Sequence, residues 1–106
     1  MKVYRWKEMV PEKVMGQVSR RLIHGEKITL GYFELPKGSS VPSHSHENEQ
    51  LANCLRGTIL FEIDGQKIEL TEGEVLHIPP GAEHAVDVIE DALVLDIFSP
   101  PRDDWR

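Results

Sequence analysis

The chain has one cysteine, few aromatic residues and no long apolar segment. Because Cys54 is alone, no internal disulfide can form, and nothing in the cysteine content indicates an oxidising compartment. No run of about eighteen apolar residues is present, so we expect neither a membrane-spanning helix nor a membrane partner. Residues 1–8 lack the apolar run of a signal peptide. These features predict a cytoplasmic protein.

Positive charge is also scarce. The 12 Lys and Arg residues are outnumbered by 18 Asp and Glu residues, and the net charge is −6. Because nucleic-acid binding requires a cationic surface, we expect no nucleic-acid partner. An anionic ligand would have to be held by local cations or by a metal ion, since the overall field repels it. The 106 residues are enough for one domain with a modest core.

Helical periodicity is missing as well, whereas turn signals recur at short intervals. Between the turns, segments rich in β-branched and aliphatic residues predict strands over 27–35, 49–55, 58–63, 67–70, 74–78, 84–89 and 93–98. The pair Asp64-Gly65 predicts a type I′ hairpin turn. Strands at this spacing predict an all-β protein, either a sandwich or a barrel. We expect residues 1–26 to form an N-terminal arm with short strands and residues 27–106 to form the barrel, within one structural domain.

The histidines are concentrated in one part of the chain. His44 and His46 alternate, and alternate side chains of an extended strand share a face. Imidazole is a common metal ligand at neutral pH, and His84 supplies a third such group. Three protein ligands with positions left open are typical of a reactive metal site rather than a structural one. The alternative interpretation is that His44 and His46 are solvated loop residues beside Pro42 and Ser43.

Two segments with defined spacing resemble the two cupin motifs. The first is Gly38-x5-His44-x-His46-x3-Gln50-x6-Gly57, in which Gln50 replaces the usual glutamate, and the second is Gly73-x5-Pro79-x-Gly81-x2-His84. They lie in the right order, at a separation that suits a minimal single-domain member. The chain therefore resembles a cupin over roughly residues 27–98. The resemblance implies a double-stranded β-helix (jelly-roll) barrel with one metal ion in one end, held by His44, His46, Gln50 and His84.

The choice between Gln50 and Glu49 as the oxygen ligand depends on strand parity. Gln50 is an even number of residues from His46, whereas Glu49 points to the opposite face, so parity favours Gln50. Neutral imidazoles and a neutral amide would leave the charge of a divalent ion uncompensated, which favours Lewis-acid chemistry on an anionic oxygen. Such a ligand set disfavours the carboxylate-containing sites of iron oxygenases. Zinc, nickel, iron and manganese all remain candidates.

The C-terminal segment Leu93–Asp104 is similar to that of the KdgF family of pectin- and alginate-degradation cupins. The similarity extends to the run His44-Ser45-His46-x-x-Glu49-Gln50. This resemblance implies an isomerase-type enzyme that converts 4,5-unsaturated monouronates, released by polysaccharide lyases, to the linear keto form. It also implies the three-histidine, one-glutamine ligand set. The residues that match the family's catalytic and substrate-binding positions are Asp96, Phe98 and Arg102.

The same three residues can be interpreted without the resemblance. Asp96 lies in an otherwise aliphatic and aromatic strand, so it must be hydrogen-bonded, paired with a cation or have a raised pKa. The alternative is that it faces water at the edge of a sheet. Phe98 is either a core residue or a pocket wall. Arg102 follows Pro100-Pro101, which is a stiff approach that suits a clamp for a carboxylate, although a solvated terminal arginine is the alternative. The resemblance differs at Glu47 and Asn48, where the family usually has proline and histidine.

Two classes of function follow. The first is the ring-opening isomerase, with Asp96 as general acid–base and Arg102 holding the carboxylate of a small anionic sugar. The second is a cupin that binds a small acid or sugar without turnover, since this fold supports many functions. A small dioxygenase is a third possibility, which Gln50 disfavours. We also expect a homodimer, because exposed sheet edges need covering and the arm carrying Tyr4 and Trp6 can reach a second copy.

Overall fold

Eight antiparallel strands and two short 3-10 helices make up the computed structural model, which describes residues 1–106. In chain order they are η1 (Trp6–Glu8), β1 (Glu12–Met15), β2 (Val18–His24), β3 (Thr29–Leu35), β4 (Ser40–His44), β5 (Glu49–Ile63), β6 (Gln66–Thr71), β7 (Val75–Ile78), β8 (His84–Ser99) and η2 (Asp103–Trp105). Neither helix has the length or apolar character needed to cross a membrane.

The strands follow the order β1-β2-β3-β8-β5-β6, with β4 paired to β8 and β7 paired to β5. The long strands β5 and β8 pair with each other along most of their length. Their outer neighbours change along the way: β8 pairs with β4 at its start and with β3 at its end. This arrangement is a jelly-roll barrel, and it confirms the predicted all-β class.

Two boundaries predicted from the sequence are wrong. The segments 49–55 and 58–63 belong to one strand, β5, and the segments 84–89 and 93–98 belong to one strand, β8. Between them the β5–β8 register shifts on both sides of Arg56, so bulges rather than turns bend the strands. Gly57 allows the bulge because it has no side chain. Its φ is +91°, which favours glycine, and an added Cβ would lie 2.2 Å from the Asp91 carbonyl oxygen.

The predicted hairpin turn is confirmed. Asp64 and Gly65 both have positive φ, 48° and 82°, as a type I′ turn requires. The turn joins Ile63 to Gln66, which face each other at the end of the β5–β6 ladder. Strand β4, by contrast, carries no strand signal in its sequence, because Pro42 and several serines interrupt any alternating pattern.

Alternation along β5 and β8 separates the interior from the outer surface. Ala52 and Cys54 of β5 and Val94 of β8 are fully buried and belong to the apolar core. A second group of buried residues is polar and includes Thr29, Asn48, Gln50, His84, Asp96 and Arg102. Such groups are stable inside a barrel only when they are hydrogen-bonded or bind a ligand, so this group marks the candidate site.

Candidate metal and substrate site

Three histidines converge at one end of the barrel. His44 ends β4 and lies directly across from His84, the first residue of β8. His46 lies beyond the end of β4, in the connection to β5. The prediction that the two residues of the His-x-His pair share a strand is therefore wrong. One potential ligand atom from each of the three imidazoles nevertheless lies within 4.8 Å of those of the other two. The three histidines can hold a metal ion.

Backbone carbonyls fix the orientation of all three imidazoles. The Nδ1 atom of His44 lies 2.9 Å from the Pro42 carbonyl, that of His46 lies 3.0 Å from the Asn48 carbonyl, and that of His84 lies 2.9 Å from the Ala82 carbonyl. A carbonyl only accepts, so each Nδ1 carries the hydrogen and donates it. Each Nε2 is therefore left to bind a ligand, as in metal sites whose histidines are oriented by a second hydrogen bond.

Gln50 completes the cluster, and Glu49 does not. The Gln50 side chain is buried, and its Oε1 lies 3.0 Å from Nε2 of His46. Glu49 points outward, where its carboxylate accepts a hydrogen bond from His77 at 2.7 Å. The orientation predicted from strand parity matches the structure.

The donor atoms fit a bound cation. Burial lowers the pKa of His46 and of His84, so both rings are neutral at pH 7 and each Nε2 has a free lone pair. Nε2 of His46 therefore faces another acceptor, Oε1 of Gln50, a contact that a cation shared between them would stabilise. Nε2 of His84 is buried and has no hydrogen-bond partner in the chain. An orphaned nitrogen of this kind is costly unless it coordinates a ligand.

Asp96 lies beside this cluster. It is buried, and its Oδ1 accepts a hydrogen bond of 2.9 Å from Nε2 of Gln50. Burial raises its pKa to about 7, although the hydrogen bond from Gln50 and the charge of Arg102 act in the opposite direction. The residue is therefore not a solvated edge aspartate. A carboxyl group whose pKa is close to neutrality can accept and donate a proton at physiological pH.

Phe98 and Arg102 form the next part of the pocket. Phe98 is 2% exposed and its ring packs edge-on against that of His46, with ring centres 5.5 Å apart. Arg102 is 6% exposed, so the alternative of a solvated terminal arginine is excluded. Its guanidinium carbon lies 4.9 Å from the centre of the Phe98 ring. The structure thus brings all seven predicted site residues into one region of the barrel.

Sequence reasoning missed several residues of this region. Asn48 accepts the Nδ1 hydrogen of His46 through its backbone carbonyl and donates from its side-chain amide to the Pro100 carbonyl, which ties the β4–β5 connection to the C-terminal segment. Thr29 is fully buried, and its hydroxyl accepts from the Arg102 backbone N–H at 2.9 Å. Trp105 lines the same cavity. Only the composition of the C-terminal segment, an aromatic residue close to an arginine, could have indicated Trp105.

The cavity has a volume of about 320 Å³. Most of its lining is apolar, with polar groups from the site converging on it: His44, Gln50, His84, Asp96 and Arg102. Small-molecule sites commonly measure about 300–1,000 Å³, so this one suits a ligand of monosaccharide size. Apolar walls with a few oriented polar groups are typical of a site that binds and orients one small molecule.

A jelly-roll barrel with a three-histidine cluster inside one end defines a cupin. Comparison with known protein families agrees: residues 31–98 match the cupin domain family Cupin_2, and the chain belongs to that family. The structure of KdgF from Halomonas sp. superimposes with a TM-score of 0.94 at 26% identity, covering 100% of this chain and 99% of that one. The protein is a small single-domain cupin that resembles KdgF.

Curated relatives show how varied the family is. The chain is 34% identical over 76 residues to quercetin 2,3-dioxygenase and 36% identical over 67 residues to H2HPP isomerase, both from Bacillus subtilis, matching 66% and 61% of this chain. These matches span only 23% and 28% of the two relatives. The oxalate-binding protein of Thermotoga maritima is 28% identical over 98 residues, which cover 80% of this chain and 81% of that one.

Proposed function

We propose that the protein is a metal-dependent isomerase that opens the ring of 4,5-unsaturated monouronates. The observation that carries this proposal is Asp96, a buried carboxyl group with a pKa of about 7, hydrogen-bonded to Gln50 next to the histidine cluster. A site that only binds a ligand has no need for a proton-transfer group in this position. The resemblance to KdgF, at Asp96, Phe98 and Arg102, supports the same reaction.

The metal centre of the proposal consists of one divalent ion held by the three histidines and Gln50. The tautomers fixed by backbone carbonyls and the orphaned Nε2 of His84 support this ligand set. When bound, the ion supplies Lewis-acid stabilisation of negative charge that develops on a substrate oxygen. Asp96 takes no part in the ligand set, since its role is to move a proton.

The reaction requires one proton to move from the C1 hydroxyl to C4. In its charged form Asp96 accepts the hydroxyl proton, C1 gains its carbonyl bond, and the bond between C1 and the ring oxygen breaks. The electron pair passes to the ring oxygen, which becomes the enolate oxygen on C5. Asp96 then returns the proton to C4, the C4–C5 double bond is lost and C5 becomes a ketone. A pKa close to 7 allows both transfers.

Arg102 and Phe98 orient the substrate in this scheme. Nη1 of Arg102 makes no hydrogen bond within the chain, and the residue lines the cavity, so its N–H groups can donate to the C6 carboxylate. Phe98 contacts both His46 of the histidine cluster and the guanidinium. Its ring supplies an apolar wall that restricts how a sugar ring can lie beside Asp96.

The test is an assay with purified protein and an unsaturated galacturonate or its alginate-derived epimer. We expect loss of the ultraviolet absorbance of the conjugated enol ether, together with the appearance of the linear keto sugar by NMR. Chelation should abolish the reaction, and addition of a divalent ion should restore it. Absence of turnover with both epimers in the metal-loaded protein would refute the proposed reaction.

One observation favours a second candidate, binding of a small carboxylic acid without turnover. A relative that covers most of this chain is an oxalate-binding protein, and Arg102 and a metal ion would both attract a small anion. Calorimetric titration with oxalate and with galacturonate separates the two candidates. Tight binding of oxalate, combined with no turnover of any unsaturated uronate, would support the binding protein rather than the isomerase.

A further inference from the structure

We propose that Trp105 and Asp104 of η2 are positioning residues that hold the Arg102 guanidinium in the orientation that receives a ligand carboxylate. This inference rests on the proposed function, because it deepens the role of Arg102 in the same pocket. It concerns a segment of the C-terminus for which neither the cupin motifs nor the histidine cluster predicts a role.

Hydrogen bonding leaves one edge of Arg102 free. Asp104 accepts from Nε at 3.0 Å and from Nη2 at 2.9 Å, so its carboxylate occupies the side of the guanidinium. Arg102 has five N–H groups, and the edge formed by Nη1 and the second hydrogen of Nη2 has no partner in the chain. A second carboxylate can therefore bind end-on while Asp104 remains in place. Asp104 orients the clamp and leaves it open.

Stacking fixes the plane of the same group. The guanidinium carbon of Arg102 lies 3.6 Å from the centre of the Trp105 ring, well within the range of a cation–π contact. Trp105 in turn packs against the Phe98 ring, at 5.1 Å between centres, and against the Phe33 ring, at 6.0 Å. These neighbours belong to β8 and β3, so the indole is anchored to the barrel wall.

A second cation stabilises the indole. The guanidinium carbon of Arg20, on β2, lies 4.3 Å from the centre of the Trp105 ring, and Arg20 is itself held by Glu12 at 2.6 Å. Arg20 and Trp105 both line the cavity. The indole thus contacts two arginines, and its loss would free both guanidinium groups to move. The physical consequence is a loss of preorganisation at Arg102, which weakens ligand binding.

The chain offers matched controls for both residues. Trp6, the other tryptophan, stacks on Tyr32 at 5.0 Å and does not line the cavity. Asp103, the neighbour of Asp104, pairs with Arg106 and is largely exposed. Trp6→Leu and Asp103→Asn therefore make the same chemical changes as Trp105→Leu and Asp104→Asn, without touching Arg102.

Steady-state kinetics of the metal-loaded protein with an unsaturated uronate test the positioning role. We expect Trp105→Leu and Asp104→Asn each to raise KM about tenfold with kcat within about threefold of wild type, since they weaken a carboxylate clamp. Trp105→Phe keeps an aromatic face and should recover most of the affinity, and the two controls should match wild type. An unchanged KM in Trp105→Leu, or equal losses in Trp105→Phe and Trp105→Leu, would overturn the proposal.

A measurement without substrate separates this proposal from the isomerase reaction. In NMR spectra of the folded protein, the Arg102 Nε–H should exchange slowly with water, because it donates to Asp104 and is covered by Trp105. Trp105→Leu should lose this protected signal, whereas Trp6→Leu should keep it. If no uronate is turned over, the protected signal still supports the positioning role. A signal that stays protected in Trp105→Leu overturns it, whatever the assay shows.

Discussion

Nε2 of Gln50 donates to Oδ1 of Asp96 at 2.9 Å, while Oε1 of the same amide lies 3.0 Å from Nε2 of His46. One neutral side chain therefore connects the histidine cluster to the carboxyl group that is suited to proton transfer. The hydrogen bond orients the amide so that its oxygen points at the imidazoles and its nitrogen at the carboxyl. A glutamate at this position would place a second negative charge against Asp96 and raise the pKa of Asp96 further.

Asp96→Asn should abolish most activity while leaving the metal site intact. The amide has the same shape but cannot accept the hydroxyl proton, so we expect kcat to fall by about two to four orders of magnitude. Metal content, measured by elemental analysis, should stay at the wild-type level. Asp87→Asn is the matched control, since Asp87 is exposed on the same strand, β8. Wild-type turnover by Asp96→Asn with normal metal content would refute the mechanism.

His84→Ala should release the metal ion. His84 is the most buried of the three histidines, and its removal takes away an Nε2 atom that has no partner in the chain. We expect metal content to fall to about a tenth of wild type or less, and the stabilisation that metal gives to the folded state to disappear. Melting curves with and without chelator should then coincide. His77→Ala, which changes an exposed histidine paired with Glu49, should retain both metal and the chelator effect.

Asp96 also makes folding stability depend on pH. Its pKa is raised from 3.8 to about 7, so between these values the folded chain keeps a proton that the unfolded chain has lost. The contribution of Asp96 to the free energy of unfolding is therefore full below pH 3.8 and declines as the pH rises towards 7. Asp96→Asn, which does not titrate, should be more stable than wild type at about pH 8 and closer to it at about pH 4.5.

Urea unfolding in the presence of a chelator measures this difference without a bound cation. Asp87→Asn should follow the wild-type profile. Equal stabilities of wild type and Asp96→Asn at both pH values would show that burial does not shift the pKa of Asp96 in the folded chain.

Gly57→Ala should destabilise the barrel far more than Gly73→Ala. Both glycines have positive φ, +91° and +86°, so both substitutions carry backbone strain of about 1 kcal/mol. Only at Gly57 would the new Cβ also meet backbone, the Asp91 carbonyl oxygen at 2.2 Å. We expect a loss of at least about 3 kcal/mol there. Similar midpoints for the two variants in urea unfolding would contradict this account of the bulge.

The homodimer remains a prediction. Trp6 is stacked on Tyr32 of its own chain, so it is not free to reach a second copy. Exposed apolar side chains instead lie on the outward face of β5 and β7, where Leu51 is 38% and Val75 is 56% exposed. If this face is the interface, Leu51→Glu should weaken the dimer by at least about tenfold in light scattering. Ile89→Glu, at a similarly exposed position of β8, should leave the dimer unchanged. A wild-type protein that is monomeric in light scattering would exclude the dimer.

The sequence predicted the features that follow from local pattern. Alternation and turn residues predicted the strands, positive φ at Asp64 and Gly65 followed from the turn pair, and strand parity selected Gln50 over Glu49. The continuity of β5 was not predictable, because a glycine at a bulge and a glycine at a turn give the same signal. In β8 the charged pair Glu90-Asp91 resembles a turn although it lies within the strand. Trp105 was missed because two of its contacts, Arg20 on β2 and Phe33 on β3, lie far away in sequence.

The continuity of β8 joins two parts of the site that the sequence placed on separate strands. His84 begins this strand and Asp96 lies near its other end, so the proposed metal site and the proposed proton-transfer group share one backbone. Fluctuations that open the ladder between β8 and β5 at the bulge near Gly57 would change the separation between them. Catalytic turnover and hydrogen exchange at the bulge should therefore respond together to temperature. A stiffer bulge would therefore change the rate without any change to a side chain in the pocket.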